Sequence, residues 1–176
     1  MKKSVLVTGI TGTGKSTVCK ELIKLGYEAY DIESIPGLFA MYDKHTGQLL
    51  KEDINDDLEL TKKGYWICDK EKLKDLIDKQ NDDLAFYCGT GTHIYKVMDL
   101  FSQVILLQIP DKITRQRLSK RSAGEYGNRP EIQDWIMTWK NEAEEEILAK
   151  GAISIDATKV PQEVAKAIIA VRNNFN

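Results

Sequence analysis

Residues 4–8, Ser4-Val5-Leu6-Val7-Thr8, run directly into Gly9-Ile10-Thr11-Gly12-Thr13-Gly14-Lys15-Ser16, an apolar stretch followed by the spacing G-x-x-x-x-G-K-S. A strand entering such a loop, with a helix leaving it, is the setting that a phosphate-binding P-loop requires. The glycines let the backbone curl so that successive N–H groups point inward at a triphosphate. The helix starting near Lys15 adds the positive end of its dipole. Gly9, Thr11, Gly12, Thr13, Gly14, Lys15, Ser16 and Thr17 are therefore predicted to surround the phosphates of ATP. Lys15 would reach the β- and γ-phosphates and the Ser16 hydroxyl would ligate Mg²⁺. Lys15 is expected to contact phosphate and to pack against nothing else.

The remaining composition narrows the class. A chain of 176 residues fits one domain, residues 1–176, with room for a core. A formal charge of −2 and the absence of a Lys/Arg block give no footprint for a nucleic-acid backbone. No apolar stretch approaches the ~20 residues that span a bilayer, so no membrane partner is expected. Lys2-Lys3 before apolar residues imitates a signal peptide, but the run breaks at Thr8-Gly9, where the loop takes the place of an h-region. Cys19, Cys68 and Cys88 are scattered beside apolar neighbours, and His45 and His93 stand alone, which reads as buried thiols in a reducing cytosol. The expected location is cytoplasmic.

Along the chain, residues 15–25 place Val18, Leu22 and Ile23 on one side and stop at Gly26. Glu28-Ala29-Tyr30-Asp31 reads as a second strand. Residues 32–68 are less regular, with turns at Pro36-Gly37 and between Asp43 and Gly47, and an apolar patch at Tyr65-Trp66-Ile67-Cys68. Asp69 can cap a helix whose Leu73, Leu76 and Ile77 share a face. Leu84-Ala85-Phe86-Tyr87-Cys88 is a third strand, closed by Gly89-Thr90-Gly91. Residues 93–101 are predicted helical, 104–109 a buried strand ending at Pro110, 111–121 a basic helix, and 122–128 a polar mobile loop. Pro130 starts a long helix with Ile132, Trp135, Ile136, Trp139, Ala143 and Ile147 in register, so both tryptophans are expected in the core. Residues 152–155 and 161–172 complete the pattern with a strand and a helix. Short apolar strands alternating with helices predict an α/β fold: a three-layer sandwich around a five-stranded parallel sheet. Residues 32–80 and 122–129 read as excursions from it.

With these residues in order, the chain resembles the P-loop small-molecule kinases: nucleoside monophosphate kinases, shikimate kinase, gluconate kinase and dephospho-coenzyme A kinase. Four places carry the likeness: the P-loop; Tyr30-Asp31-Ile32-Glu33, similar to the D-x-D or D-x-E element; the run Val104 to Pro110 followed by Arg117-Leu118-Ser119-Lys120-Arg121, similar to the strand and R-L-x-x-R segment that lead into the lid; and Ile155-Asp156-Ala157-Thr158, similar to the final strand and the loop beside adenine. The resemblance implies that Arg117 stacks on adenine, that Ala157 and Thr158 border it, and that Arg121, with Arg129 from the lid at 122–129, contacts phosphate during catalysis. Arg117 and Arg121 are four apart, which on one helix gives them a common face. The acceptor would lie in the excursion at 32–80.

Two departures bear on the acceptor. The third strand ends without a Walker-B aspartate, so the Mg²⁺-side carboxylate is expected to be Asp31, acting through water, as in shikimate kinase. Gly89 and Gly91 at that strand end would let a substrate approach the backbone. The arginines, Arg115, Arg117, Arg121, Arg129 and Arg172, all lie late in the chain, leaving none in 32–80 to grip an acceptor phosphate. Lys44, Lys51, Lys62 and Lys63 could substitute there as point charges, although they read more simply as surface lysines. Asp31 and Glu33, on one side of an extended chain, would bind the acceptor and divide Mg²⁺ binding and proton removal between them. The predicted function is transfer of the ATP γ-phosphoryl group to a small-molecule hydroxyl. Open alternatives are a nucleoside monophosphate kinase, a nucleotide-dependent ATPase switch acting on a macromolecule, and a relative that retains only ATP binding. Trp66, beside Tyr65, reads equally as packing or as a stacking platform.

Overall fold

The computed structural model describes residues 2–50 and 57–173; Lys51, one of the lysines of the acceptor segment, lies outside them. Five strands form the central sheet: β1 (Lys3–Thr8), β2 (Glu28–Asp31), β5 (Leu84–Cys88), β6 (Gln103–Gln108) and β7 (Ile153–Asp156). Their order is β2-β5-β1-β6-β7 and every pairing is parallel. Parallel strands buried on both faces must be apolar on both faces, and β1 shows it. Val5 and Val7 pack with Val18 and Leu22 of α1 (Lys15–Lys24) and with Ile168 of α6 (Pro161–Asn173). Leu6 between them faces the other layer, with Tyr87, Leu106, Val97 and Ile147. This is the three-layer α/β/α sandwich around a five-stranded parallel sheet that the strand pattern predicts. Among the described residues, no helix is long and apolar enough to cross a membrane.

The irregular segment after β2 holds what the sequence left unassigned. Ile32–Ser34 is a 3-10 turn, and β3 (Phe39–Asp43) pairs antiparallel with β4 (Gly64–Cys68) as a separate two-stranded sheet. Between them lies α2 (Leu58–Lys63), and α3 (Lys70–Asp78) follows, capped by the Asp69 carboxylate on the Lys72 N–H at 3.1 Å. Residues Ile94–Leu100, predicted helical, form a 3-10 segment. The basic helix α4 (Asp111–Leu118) is shorter than predicted, and α5 (Pro130–Ala149) is the longest helix, with proline at its start. The parallel strands direct their C-terminal ends toward one edge of the sheet, where β1 opens into the P-loop, β2 into the 3-10 turn and β5 into Gly89.

Candidate active site

At that edge lies a cavity of about 1520 Å³. One end is lined by Ile10 through Val18. The neighbouring wall carries Asp31, Glu33, Thr90 and Gly91, then Arg117, Arg121 and Ala157. The loop's shape follows from its glycines. A Cβ on Gly9 would stand 2.6 Å from the Leu107 carbonyl oxygen and 2.8 Å from Thr13 Oγ1, so only glycine lets β1 turn there. Thr13 Oγ1 closes the turn by donating to the Ile10 carbonyl at 2.8 Å. Ser16 and Thr17 are exposed at the helix start.

Lys15 differs from its expected isolation. It is 7% exposed, and its Nζ donates to the carbonyls of Gly9 (2.9 Å) and Ile10 (3.2 Å). Glu33 Oε1 stands 3.7 Å from the same Nζ and accepts the Thr90 N–H at 2.9 Å. Burial pulls the Lys15 pKa below the ordinary lysine range, and Glu33 opposes that shift. A buried ammonium is stable only when paired; here two backbone carbonyls and one carboxylate surround it.

Asp31 and Glu33 come together with the P-loop, although not by an extended chain. The strand stops at Asp31 and the 3-10 turn brings Glu33 round to the loop. Arg117 and Arg121 do not share a helix face either, because α4 ends at Leu118 and Arg121 sits in the turn beyond. Arg117 reaches across the loop: its guanidinium donates to the carbonyls of Gly12 (3.4 Å), Thr13 (3.2 Å) and Ala157 (2.9 Å). It thereby ties the P-loop to the loop after β7. Arg121 donates to the Tyr126 carbonyl, and burial draws its pKa below the ordinary arginine value while Glu125 and Glu33 oppose that.

Other expectations are corrected. The space beside Gly89 belongs to Ile32, whose Cγ1 would lie 2.4 Å from an added Cβ, so this glycine serves packing rather than substrate approach. Gly91 lines the cavity, yet a Cβ there would meet the Trp66 carbonyl oxygen at 2.7 Å. Arg129 caps α5 at the surface, paired with Glu131 and outside the cavity lining. Thr158 is exposed and also outside the lining, its N–H bonded to Asp156 at 2.9 Å. Trp135 and Trp139 both line the cavity, joined by Glu142 and Glu146 one and two turns on; Trp139 also packs, half-buried, against the cluster of Ile10, Leu118, Ile132 and Ile136, so the core expectation holds for it in part. The two glutamates, with His93, Tyr95 and Tyr126, were missed by the sequence reading. The available signal was their spacing from the tryptophans along one helical stripe.

A hydroxyl on Ser16 and a carboxylate on Asp31 line one cavity and suit Mg²⁺, which takes few protein oxygens and keeps water and phosphate for the rest. Among the described residues, no group of three or more His, Cys, Asp or Glu is placed to hold a metal.

Known proteins resemble this chain in sequence and in fold. Residues 5–148 match a family model described as an AAA domain. A nucleotide-binding protein of Coprothermobacter proteolyticus is 33% identical over 89 residues, which are 49% of this chain and 31% of that protein. The chain thus spans less than a third of that curated relative. Among solved structures, shikimate kinase from Aquifex aeolicus superposes with a TM-score of 0.59 at 22% identity, covering 97% of each chain. Deoxyadenosine kinase from M. mycoides with bound dATP gives a TM-score of 0.59 at 16% identity, over 97% of this chain and 99% of that one. At such identities the likeness is one of fold.

Proposed function

This chain belongs to the AAA domain family, and from that premise we propose that it transfers the γ-phosphoryl group of ATP to the hydroxyl of a small molecule. The observation that carries the reading is one cavity joining the P-loop to Asp31 and Glu33, with arginine present only at its nucleotide end. A phosphate acceptor needs cations to overcome repulsion from ATP. An alcohol needs a carboxylate to take its proton. Both neighbours are named for hydroxyl-bearing compounds, shikimate and deoxyadenosine.

Each residue then has a role. The P-loop N–H groups and Lys15 bind the triphosphate, with Lys15 exchanging its carbonyl partners for phosphate. Arg117 holds the loop to the nucleotide-base side, and Arg121 neutralises charge near the γ-phosphate. Ser16 and, through water, Asp31 hold Mg²⁺, which when bound offsets the charge of the phosphate oxygens. Glu33, oriented by the Thr90 N–H, accepts the acceptor's proton. The acceptor oxygen bonds to the γ-phosphorus while the bond from that phosphorus to the β,γ-bridging oxygen breaks, and ADP leaves with the electron pair. Positioning and charge neutralisation supply most of the rate in such reactions.

The test is ADP release and product formation with purified protein, Mg-ATP and two sets of acceptors: AMP, CMP, UMP, GMP and dTMP against unphosphorylated alcohols. Transfer to an alcohol, lost in Asp31→Asn and Glu33→Gln, is expected. Robust phosphorylation of a monophosphate would overturn the hydroxyl assignment, and unchanged ATP affinity in Lys15→Ala would overturn the nucleotide site.

A further inference from the structure

The acceptor side of the cavity carries chemistry that phosphoryl transfer alone leaves unused. Trp66 and His93, from β4 and the segment after β5, line it together with Trp135 and Trp139 of α5. The first pair is held firmly. Trp66 stacks on Phe39 with ring centroids 5.5 Å apart and planes inclined by 18°. Its backbone is clamped to Thr92, with Trp66 N–H on Thr92 Oγ1 at 3.0 Å and Thr92 N–H on the Trp66 carbonyl at 2.7 Å. His93 adopts φ 58°, the one positive φ among described non-glycine residues. That conformation is uncommon outside glycine and persists where surroundings impose it. Here it sets the imidazole edge-on between Tyr65 (5.0 Å) and Tyr95 (5.6 Å). Burial lowers the His93 pKa below the ordinary histidine value, so the ring is neutral at pH 7.

Glu142 and Glu146 follow Trp135 and Trp139 along the same cavity-facing stripe of α5. Carboxylate oxygens accept hydrogen bonds, so this edge favours N–H donors. A cavity of about 1520 Å³ also exceeds the roughly 300–1,000 Å³ that one ligand commonly fills, leaving room for an acceptor beside ATP. Aromatic faces attract flat π-systems most strongly in offset-stacked or edge-on contact.

We propose that the acceptor is a hydroxyl-bearing nitrogen heterocycle with amino or N–H groups on its ring edge, stacked among Trp66, Trp135 and Trp139. The proposal rests on the phosphotransferase reading above and names the substrate class of that site. The heterocycle gives its hydroxyl to the γ-phosphorus and its proton to Glu33, as written for the general reaction. Its ring supplies binding energy distant from the bond that forms, and its edge is read by Glu142 and Glu146.

The experiment uses full-length protein saturated with AMP-PNP and Mg²⁺, so that the nucleotide end is filled. Calorimetry and tryptophan fluorescence then compare adenosine, cytidine and pyridoxamine with the ring-free or non-aromatic alcohols glycerol, glucose and shikimate. The expected result is that at least one aminated heterocycle binds tenfold tighter than every non-aromatic alcohol and quenches fluorescence; nucleosides and pyridoxamine separate the two sources of such a ring. Trp66→Leu and, independently, Trp139→Leu should each weaken that ligand about ten- to hundredfold, the range for loss of a stacked base. AMP-PNP affinity should stay unchanged in both, and Trp66→Phe should recover most of the loss. Heterocycles that bind no better than the other alcohols, including no binding by either, overturn the proposal while AMP-PNP binding persists. Failure to bind AMP-PNP overturns the phosphotransferase reading itself and removes this proposal with it.

Discussion

Replacing Gly89 by alanine would place a methyl group 2.4 Å from Ile32 Cγ1, 3.1 Å from Ile32 Cδ1 and 3.2 Å from Glu33 Cγ. All three atoms belong to the 3-10 turn that carries the carboxylate at the P-loop. Gly89 is not among the positive-φ residues, so the backbone accepts alanine and the effect is steric. Ile32 is fully buried and has no solvent to swing into. Overpacking of this kind costs about 1–3 kcal/mol, and the reduced freedom of the unfolded chain returns about 0.4–1 kcal/mol. The net loss is then about 1–2 kcal/mol, or a fall in melting temperature of about 2–8 °C for a chain of this size. Thermal unfolding of Gly89→Ala measures it. Ile32→Ala removes both clashing carbons, so the double variant should be about 1 kcal/mol more stable than the sum of the single losses. A displacement of Glu33 near 1 Å should also slow phosphoryl transfer by roughly a hundredfold. An unchanged or raised melting temperature in Gly89→Ala, or strict additivity in the pair, would refute this account of the strand end.

Arg117→Ala removes the only guanidinium that bonds both the P-loop and the Ala157 carbonyl among the described residues; thermal unfolding should show a loss of about 1–2 kcal/mol, accompanied by weaker AMP-PNP binding. Arg121→Ala should lower kcat by about 10²–10³, as for one missing electrostatic donor. Arg129→Ala should leave kcat within about twofold of wild type, since Arg129 pairs with Glu131 away from the cavity; equal effects of the two arginine substitutions would contradict the geometry. Burial raises the Glu144 pKa above the usual value of 4.5, although Gln108 donates to this carboxylate at 2.6 Å and Lys140 lies near. The folded protein therefore holds that proton more tightly than the unfolded chain. Stability from this group is fullest below about pH 4.5 and declines as pH rises toward the folded value. Glu144→Gln should flatten that decline in melting temperature, and an identical pH slope in both proteins would count against it.

The parallel sheet and the P-loop were legible because a single physical requirement produced each signal. A strand covered on both faces must be apolar at every position, and 84–88 and 104–107 are. A turn where any Cβ would fall 2.6 Å from the Leu107 carbonyl oxygen admits only glycine, and Gly9 advertises that. The β3–β4 hairpin was not legible. Its strands are half-buried, separated by twenty residues, and carry Gly64, Tyr65 and Asp43 at positions where periodicity would place apolar residues. Lys15 was assigned to phosphate for the right residue type but with the wrong surroundings. A sequence motif specifies which groups meet a ligand and says nothing of the partners that hold them beforehand, here two backbone carbonyls and Glu33.

The face of α5 was misjudged for a more general reason. Hydrophobic periodicity detects apolar stripes, and it assumes that an apolar stripe is a core stripe. Trp135 and Trp139 line the cavity, Trp139 also touching the core, while the buried side carries Ile132 and Ile136, which pack with Ile10 and Leu118, and Ile147, which packs toward the sheet, interspersed with Gln133, Lys140 and Glu144. At 3.6 residues per turn the two stripes lie roughly a third of a turn apart, close enough for one apolar pattern to blur them. Gln133 and Lys140 are tolerable there because they are bonded, whereas Glu144 is bonded at Oε2 alone and its Oε1 is buried without a partner. Gln133 donates to the carbonyls of Gly127 (3.0 Å) and Asn128 (3.1 Å), and Lys140 donates to the Ile109 carbonyl and to Asp111, both at 2.6 Å. Each of these bonds fastens α5 to a neighbouring segment: the turn before it, or the end of β6 and the start of α4. The polar residues of the buried face therefore fix the angle at which the helix presents its other stripe. Two tryptophans on the cavity side would cost more than they return if the helix were free to roll them into the core. Held by Lys140 and Gln133, they remain a wall of the site, and removing either anchor should disturb acceptor binding before it disturbs the P-loop.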